Sequence, residues 1–93
     1  MMRDAGGRIE VSGALTLAGA RAMLDAGCAQ LTRAETVFDL AAVREIDSSG
    51  LAVIFGWVRA AREAGKKVSI VHPPQSLLSL AELYGVTELL PLA

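Results

Sequence analysis

Apolar positions recur with two different periods along the chain, and these periods predict alternating strands and helices. Alternating or short β-branched runs favour strands, whereas recurrence every three or four residues favours helices. The predicted strands are 8–11, 36–40, 68–71 and 86–90, and the predicted helices are 15–31, 51–64 and 75–84. Strands joined by crossover helices are typical of parallel neighbours in α/β domains. We therefore expect an α/β fold, a small sandwich with a mixed sheet and helices mainly on one face.

A chain of 93 residues, of which 53% are hydrophobic, has room for one compact domain. Such a domain buries about 60–65% of its unfolded surface, which suffices for folding without a metal or a disulfide. The first seven residues are polar or small, contain Gly6 and Gly7, and lack the apolar stretch of a signal peptide. We expect residues 1–7 to be a flexible leader and residues 8–93 to be the single domain.

The charge and hydropathy of the chain restrict its partners and its location. Nine Lys+Arg against ten Asp+Glu give a net charge of -1, which disfavours nucleic-acid binding because that requires a cationic field. No apolar run approaches the roughly 20 residues that span a bilayer, so we expect no direct membrane insertion. Cys28 has no second cysteine to pair with, which fits a reducing compartment. We expect a cytoplasmic protein that reaches a membrane only through a partner.

Few residues along the chain are suited to catalysis. His72 is the single histidine and stands between a predicted strand and two prolines, so we expect it to be an exposed loop residue. Cys28 lies within a predicted helix and is best explained as a small residue at the core boundary. The glycine-rich phosphate loops of nucleotide-binding proteins do not occur in the sequence. We expect no catalytic residue, no cofactor and no metal site.

The most unusual polar cluster is Asp47-Ser48-Ser49-Gly50, which directly precedes the longest apolar helix. Its simplest role is a helix cap, in which the side chain of Asp47 or Ser48 accepts a hydrogen bond from a free backbone N–H. Hydroxyls at a helix N-terminus are also accessible, and the helix dipole tolerates added negative charge there. The cluster is therefore both a candidate cap and a candidate site for recognition or for phosphorylation of Ser49.

The helix that follows this cluster carries two apolar stripes. Leu51, Ile54 and Val58 have the spacing expected for packing on a sheet, whereas a second stripe through Val53 and Trp57 points away from the first. A helix that is apolar on two sides is either covered on both or available to a partner. Trp57 fits the core and an interface anchor about equally well. We expect a partner-binding surface formed by Ser48, Ser49, Ala52, Val53, Gly56 and Trp57.

Three segments of the chain carry a family resemblance: Val11-Ser12-Gly13-Ala14-Leu15, Val37-Phe38-Asp39-Leu40 and Ile46-Asp47-Ser48-Ser49-Gly50-Leu51-Ala52. They resemble the STAS domain family, which includes the anti-sigma factor antagonists. The second half of the chain is similar to the STAS subunits of Mla-type phospholipid ABC transporters, on the segments 47–52, 64–68, 80–84 and 86–91. The resemblance covers nearly everything from Arg8 onward and implies the STAS fold.

The resemblance implies two alternative functions. In the antagonists, a partner kinase phosphorylates the serine that matches Ser49, and phosphorylation breaks the complex. In the transporter subunits, the hydroxyl residue that matches Ser48 contacts the ATPase subunit. Antagonists commonly carry an acidic residue near the positions of Ala14 and Thr16, and neither position is acidic here. We therefore expect a non-enzymatic module that binds the ATPase of a phospholipid transporter, with a phosphorylated antagonist that binds an anti-sigma factor kinase as the alternative.

Overall fold

The computed structural model describes all residues from 1 to 93, which form one mixed sheet and three α-helices. The strands are β1 (Met2–Asp4), β2 (Ile9–Leu15), β3 (Glu35–Ile46) and β4 (Lys67–Val71), and they lie in this order across the sheet. β1 is antiparallel to β2, whereas β3 is parallel to both β2 and β4. The mixed sheet predicted from the sequence is confirmed.

Three α-helices connect or follow the parallel strands. α1 (Ala20–Ala29) joins β2 to β3, α2 (Ser48–Glu63) joins β3 to β4, and α3 (Gln75–Leu83) follows β4. Short 3₁₀ turns precede α1 at Leu17–Gly19 and follow α3 at Thr87–Leu89. This order of elements confirms the predicted α/β fold.

The core lies between one face of the sheet and the helices. Phe38 and Leu40 of β3 are fully buried, while the intervening Asp39 points to the opposite face, as the alternation of a strand requires. Trp57 of α2 stacks on Phe38, with the ring centroids 4.3 Å apart and the planes inclined by 18°. The longest helix therefore rests on the central strand of the apolar face.

Residues 1–7 do not form the flexible leader that the sequence suggests. Met2–Asp4 pairs with residues 9–11 of β2, and the N-terminal amine of Met1 donates a hydrogen bond to the carbonyl oxygen of Ser12 at 2.9 Å. Gly6 and Gly7 take positive φ angles in the turn between the two strands. The prediction of a flexible leader is therefore wrong. The edge strand could not be recognised from the sequence, because three residues are too few to show a hydrophobic period.

Three other boundaries differ from the prediction. β3 continues past residue 40 to Ile46. Bulges shift its pairing with β2 and break the simple alternation of its side chains, and the predicted strand therefore ends too early. The predicted helix over 15–31 is confined to α1, after the 3₁₀ turn. The predicted strand 86–90 contains a 3₁₀ turn instead, and the following Pro91 accepts a hydrogen bond from the N–H of Ile70 at 2.8 Å.

Asp39 joins three segments on the face of the sheet opposite the helices. Its carboxylate accepts hydrogen bonds from the N–H of Ala41 at 3.0 Å and from the guanidinium of Arg8 at 3.1 Å, and it lies 3.0 Å from Nδ1 of His72. The bond from Ala41 lowers the pKa of Asp39, burial opposes that shift, and the side chains of His72 and Arg8 add to it. His72 is exposed, as expected, but it is also held in place by this contact.

Replacing Asp39 with asparagine is expected to make the stability of the domain less dependent on pH. A carboxyl whose pKa is lowered by folding stabilises the folded state above its unfolded pKa of about 3.9, and this contribution is lost as the pH falls through the folded value. We expect Asp39→Asn to lower the free energy of unfolding by about 1–2 kcal/mol near neutral pH. Urea titrations at several pH values would test this. A deficit that stays constant below pH 3.9 would contradict the argument.

Candidate docking site

Asp47 fixes the start of α2 and the loop beside it. Its Oδ1 accepts hydrogen bonds from the N–H groups of Ser49 at 2.9 Å and Gly50 at 3.2 Å, which makes Asp47 the N-cap. Its Oδ2 accepts a third bond, from the N–H of Leu17 at 3.1 Å. One carboxylate thus satisfies two free donors of the helix and ties the loop after β2 to the helix N-terminus.

Gly50 lets α2 approach the end of β2 very closely. A Cβ at this position would lie 2.2 Å from the carbonyl oxygen of Leu15 and 2.6 Å from the side chain of Ile46. The same carbonyl oxygen accepts a hydrogen bond from the N–H of Asp47 at 3.2 Å. Any side chain at position 50 would therefore push the capped turn away from the sheet.

An open groove of about 320 Å³ lies between the start of α2 and the first half of α1. Its lining is mostly apolar or small, which suits an apolar side chain from another molecule. Ser48, which precedes the groove residue Ser49, is exposed. The residues that line the groove are Ala20, Arg21, Leu24, Ser49, Ala52 and Val53.

A comparison with protein families identifies the chain through nearly its whole length. The model of the family described as "Mlab, STAS domain" matches residues 2–91. This chain belongs to that STAS family. The match includes β1, which supports the inclusion of the first residues in the domain.

A curated relative of this STAS domain is the "Intermembrane phospholipid transport system binding protein MlaB" of Haemophilus influenzae. The two proteins are 35% identical over 51 residues, which are 55% of this chain and 49% of the relative. The match therefore spans about half the length of the relative. The similarity to MlaB proteins expected from the sequence is confirmed.

Two solved structures share the fold. The anti-sigma factor antagonist SpoIIAA in its unphosphorylated form is 12% identical, with a TM-score of 0.73, over 100% of this chain and 86% of that chain. A putative anti-sigma factor antagonist from Thermotoga maritima is 15% identical, with a TM-score of 0.78, over 99% of this chain and 83% of that chain. At these identities the similarity establishes the fold alone, and it confirms the STAS architecture.

Trp57 does not contribute to the surface of this STAS domain. Its side chain is fully buried, and its Nε1 donates a hydrogen bond to the carbonyl oxygen of Met23 at 3.1 Å. α1 lies directly over the indole, so that a Cβ on Gly27 would be 2.0 Å from Nε1. The prediction that Trp57 lies on the docking surface is therefore wrong, because α1 covers the apolar stripe of α2 to which Trp57 belongs.

The other predicted contact residues divide between the groove and the helix packing. Ala52 is exposed, Ser49 is half-buried, and both line the groove. Val53 is buried at the wall of the groove, so it can meet a partner only through that opening. Gly56 faces Leu24 across the α1–α2 contact and has a structural role.

No sequence pattern predicts the part of the site that comes from outside α2. Leu17 is 75% exposed beside the cap, and Arg21 and Leu24 form the α1 side of the groove. Leu17 and Leu24 both lie at apolar positions of the helix predicted over 15–31. The 3₁₀ turn at residues 17–19 displaces Leu17 from that helix, and nothing in the local sequence predicts this turn.

The remaining candidates for chemistry along the chain are metal-ligating side chains and the single cysteine. No group of three or more His, Cys, Asp or Glu side chains is placed to hold a metal ion. Burial raises the pKa of the Cys28 thiol, and Asp25 adds to this shift, so that Cys28 is a poorer nucleophile than a free cysteine. No helix combines the length and the apolar character that crossing a bilayer requires.

Proposed function

We propose that this STAS domain is a non-enzymatic subunit of an Mla-type phospholipid ABC transporter and that it binds the ATPase subunit through the α1–α2 groove. The observation that carries the proposal is the open apolar groove at the capped end of α2, on a chain that matches the MlaB family over residues 2–91. Such a subunit acts at the cytoplasmic face of the membrane through its complex. It influences the ATPase only as far as it binds one of its conformations more tightly.

The local geometry suits docking because the site is both rigid and unfilled. Asp47 holds the loop and the helix start together, so little ordering is needed when a partner binds. Ser48 and Leu17 are exposed beside the groove. A partner side chain in the groove would contact Ala52 and Leu24 while the hydroxyls at the helix start supply polar contacts.

Replacing Ser48 with arginine is expected to weaken binding to the ATPase subunit by at least about tenfold. The long cationic side chain would stand beside the groove, obstruct an approaching partner and lose water in the complex, and a tenfold loss corresponds to about 1.4 kcal/mol. Co-purification with a cognate Mla-type ATPase subunit, followed by titration of the two purified proteins, would measure the loss.

Ser76→Arg is the matched control for this experiment. Ser76 is also an exposed serine in the first turn of a helix, α3, away from the groove. Ser76→Arg also places a cation near a helix N-terminus and therefore carries the same electrostatic cost. If Ser48→Arg and Ser76→Arg bind the ATPase equally well, the groove is not the docking site.

A second candidate function is that of an antagonist switched by phosphorylation of Ser49. Ser49 lines the groove together with Arg21, so a phosphate there would lie beside a cation. It would add about -1.5 to -2 charges to an apolar opening, and partner binding should fall because this charge must be desolvated. Intact-mass measurement after incubation with a cognate kinase and ATP would test this function, and an unmodified mass would remove it.

A further inference from the structure

The cationic side chains of this domain are unevenly distributed. Four of the nine Lys and Arg side chains form ion pairs with carboxylates, namely Arg3, Arg8, Arg21 and Arg33. Four of the other five lie between residues 59 and 67, where α2 ends and β4 begins. Positive charge is therefore in local excess between residues 59 and 67, although the net charge of the whole chain is nearly neutral. We call the four residues Arg59, Arg62, Lys66 and Lys67 the basic cluster.

A second groove, of about 300 Å³, opens within the basic cluster. Its floor is apolar, with Ala61 buried and both Val58 and Val68 half-buried. Arg62 and Lys67 are exposed at its sides. Lys66 also lines it, but its Nζ donates a hydrogen bond to the carbonyl oxygen of Leu31 at 2.6 Å. Arg62 and Lys67 are thus the cations available to a ligand.

The nearby carboxylates do not neutralise these two cations. Glu63 follows Arg62 on α2, and Glu35 lies opposite Lys67 in the pairing of β3 with β4. Both glutamates are exposed, and neither forms an ion pair with the basic cluster. Part of the positive charge offsets the negative end of the α2 dipole. Lys67 lies beyond that helix, in the strand.

We propose that this groove binds an acidic segment of a partner protein, with one apolar side chain on the floor between Val58 and Val68 and flanking carboxylates on Arg62 and Lys67. Charge complementarity selects an acidic partner. The apolar floor between the two cations fits a segment that presents one apolar side chain between carboxylates. The large exposed apolar residues that would enter a membrane, such as Leu17 and Leu83, lie outside the basic cluster.

This second surface lies at the opposite end of α2 from Ser48. The two grooves share no lining residue, although Val53 and Val58 are separated by only about 7.5 Å along the helix axis at 1.5 Å per residue. The proposal therefore rests on its own set of side chains and not on the partner of the first groove.

The test uses a fluorescent synthetic peptide in which one leucine is flanked on each side by two glutamates. We expect the double variant Arg62→Glu, Lys67→Glu to bind this peptide at least about tenfold more weakly than the unaltered domain. Arg44→Glu is the control, because Arg44 is exposed, forms no ion pair and lies outside the cluster. Circular dichroism would verify the folding of each variant, and Arg62→Gln, Lys67→Gln replaces the double variant if it does not fold.

Two further probes distinguish the alternatives. A peptide with glycine in place of the leucine should bind more weakly, because the apolar floor then has no occupant, and binding of the original peptide should decrease with added salt. The proposal is overturned if the domain does not bind the acidic peptide, or if Arg44→Glu weakens binding as much as the double variant does. Binding to phosphatidylglycerol vesicles without binding to the peptide would assign the cluster to a lipid surface instead.

Discussion

Replacing Trp57 with alanine is expected to lower the free energy of unfolding by about 3–5 kcal/mol. The substitution removes the stacking on Phe38 and the hydrogen bond to Met23, and it leaves a cavity between α1, α2 and the sheet. A domain of this size is stable by about 5–15 kcal/mol, so the loss is a large part of the total. Urea denaturation followed by circular dichroism would measure it.

Trp57→Phe is the informative control. Phenylalanine keeps an aromatic ring on Phe38 and fills most of the volume, but it cannot donate to the carbonyl oxygen of Met23, so we expect a smaller loss of about 1–2 kcal/mol. If Trp57→Ala instead left stability unchanged and abolished partner binding, the indole would belong to the docking surface and the packing described above would be wrong.

Replacing Gly50 with alanine is expected to cost about 3 kcal/mol, at the upper part of the range for overpacked sites. The new methyl group would lie 2.2 Å from the carbonyl oxygen of Leu15, and neither backbone can rotate away as a side chain can. The start of α2 would have to move, which would also stretch the bond from the N–H of Asp47 to Leu15. Denaturation by urea is again the measurement.

Gly56→Ala separates this clash from the general effect of a glycine in a helix. Both substitutions gain about 1 kcal/mol of helix propensity, but a Cβ on Gly56 meets the Cδ1 of Leu24 at 2.6 Å. That methyl group lies at the end of a flexible side chain and can move. We expect Gly56→Ala to change stability by less than about 1 kcal/mol. Equal losses in the two variants would show that close contact with the Leu15 carbonyl is unimportant.

The sequence predicts the fold class and the capped helix because both depend on local patterns. α2 begins at Ser48, directly after Asp47 and three residues before the first apolar position of its period, Leu51, because the capping cluster forms its first turn. By contrast, β1 and the bulged half of β3 show no regular period, so neither could be recognised. The contact of Asp39 with His72 joins positions 33 residues apart, and only the folded sheet brings them together.

Only the α2 side of the candidate site could be predicted from the sequence, for a related reason. Ser49 and Ala52 belong to the helix that the pattern identifies, whereas Arg21 reaches the groove from α1, whose start after a 3₁₀ turn the pattern does not show. The error at Trp57 has the same origin. A helical period shows that two faces are apolar, but whether α1 lies on one of them depends on how closely its Gly27 can approach.

The three hydrogen bonds of Asp47 have a consequence for signalling between a partner and the sheet. Because one carboxylate joins the N–H of Leu17 to those of Ser49 and Gly50, a force on the start of α2 also acts on the carboxyl end of β2. A molecule that pulls on this corner would therefore load the end of β2 as well as the start of α2.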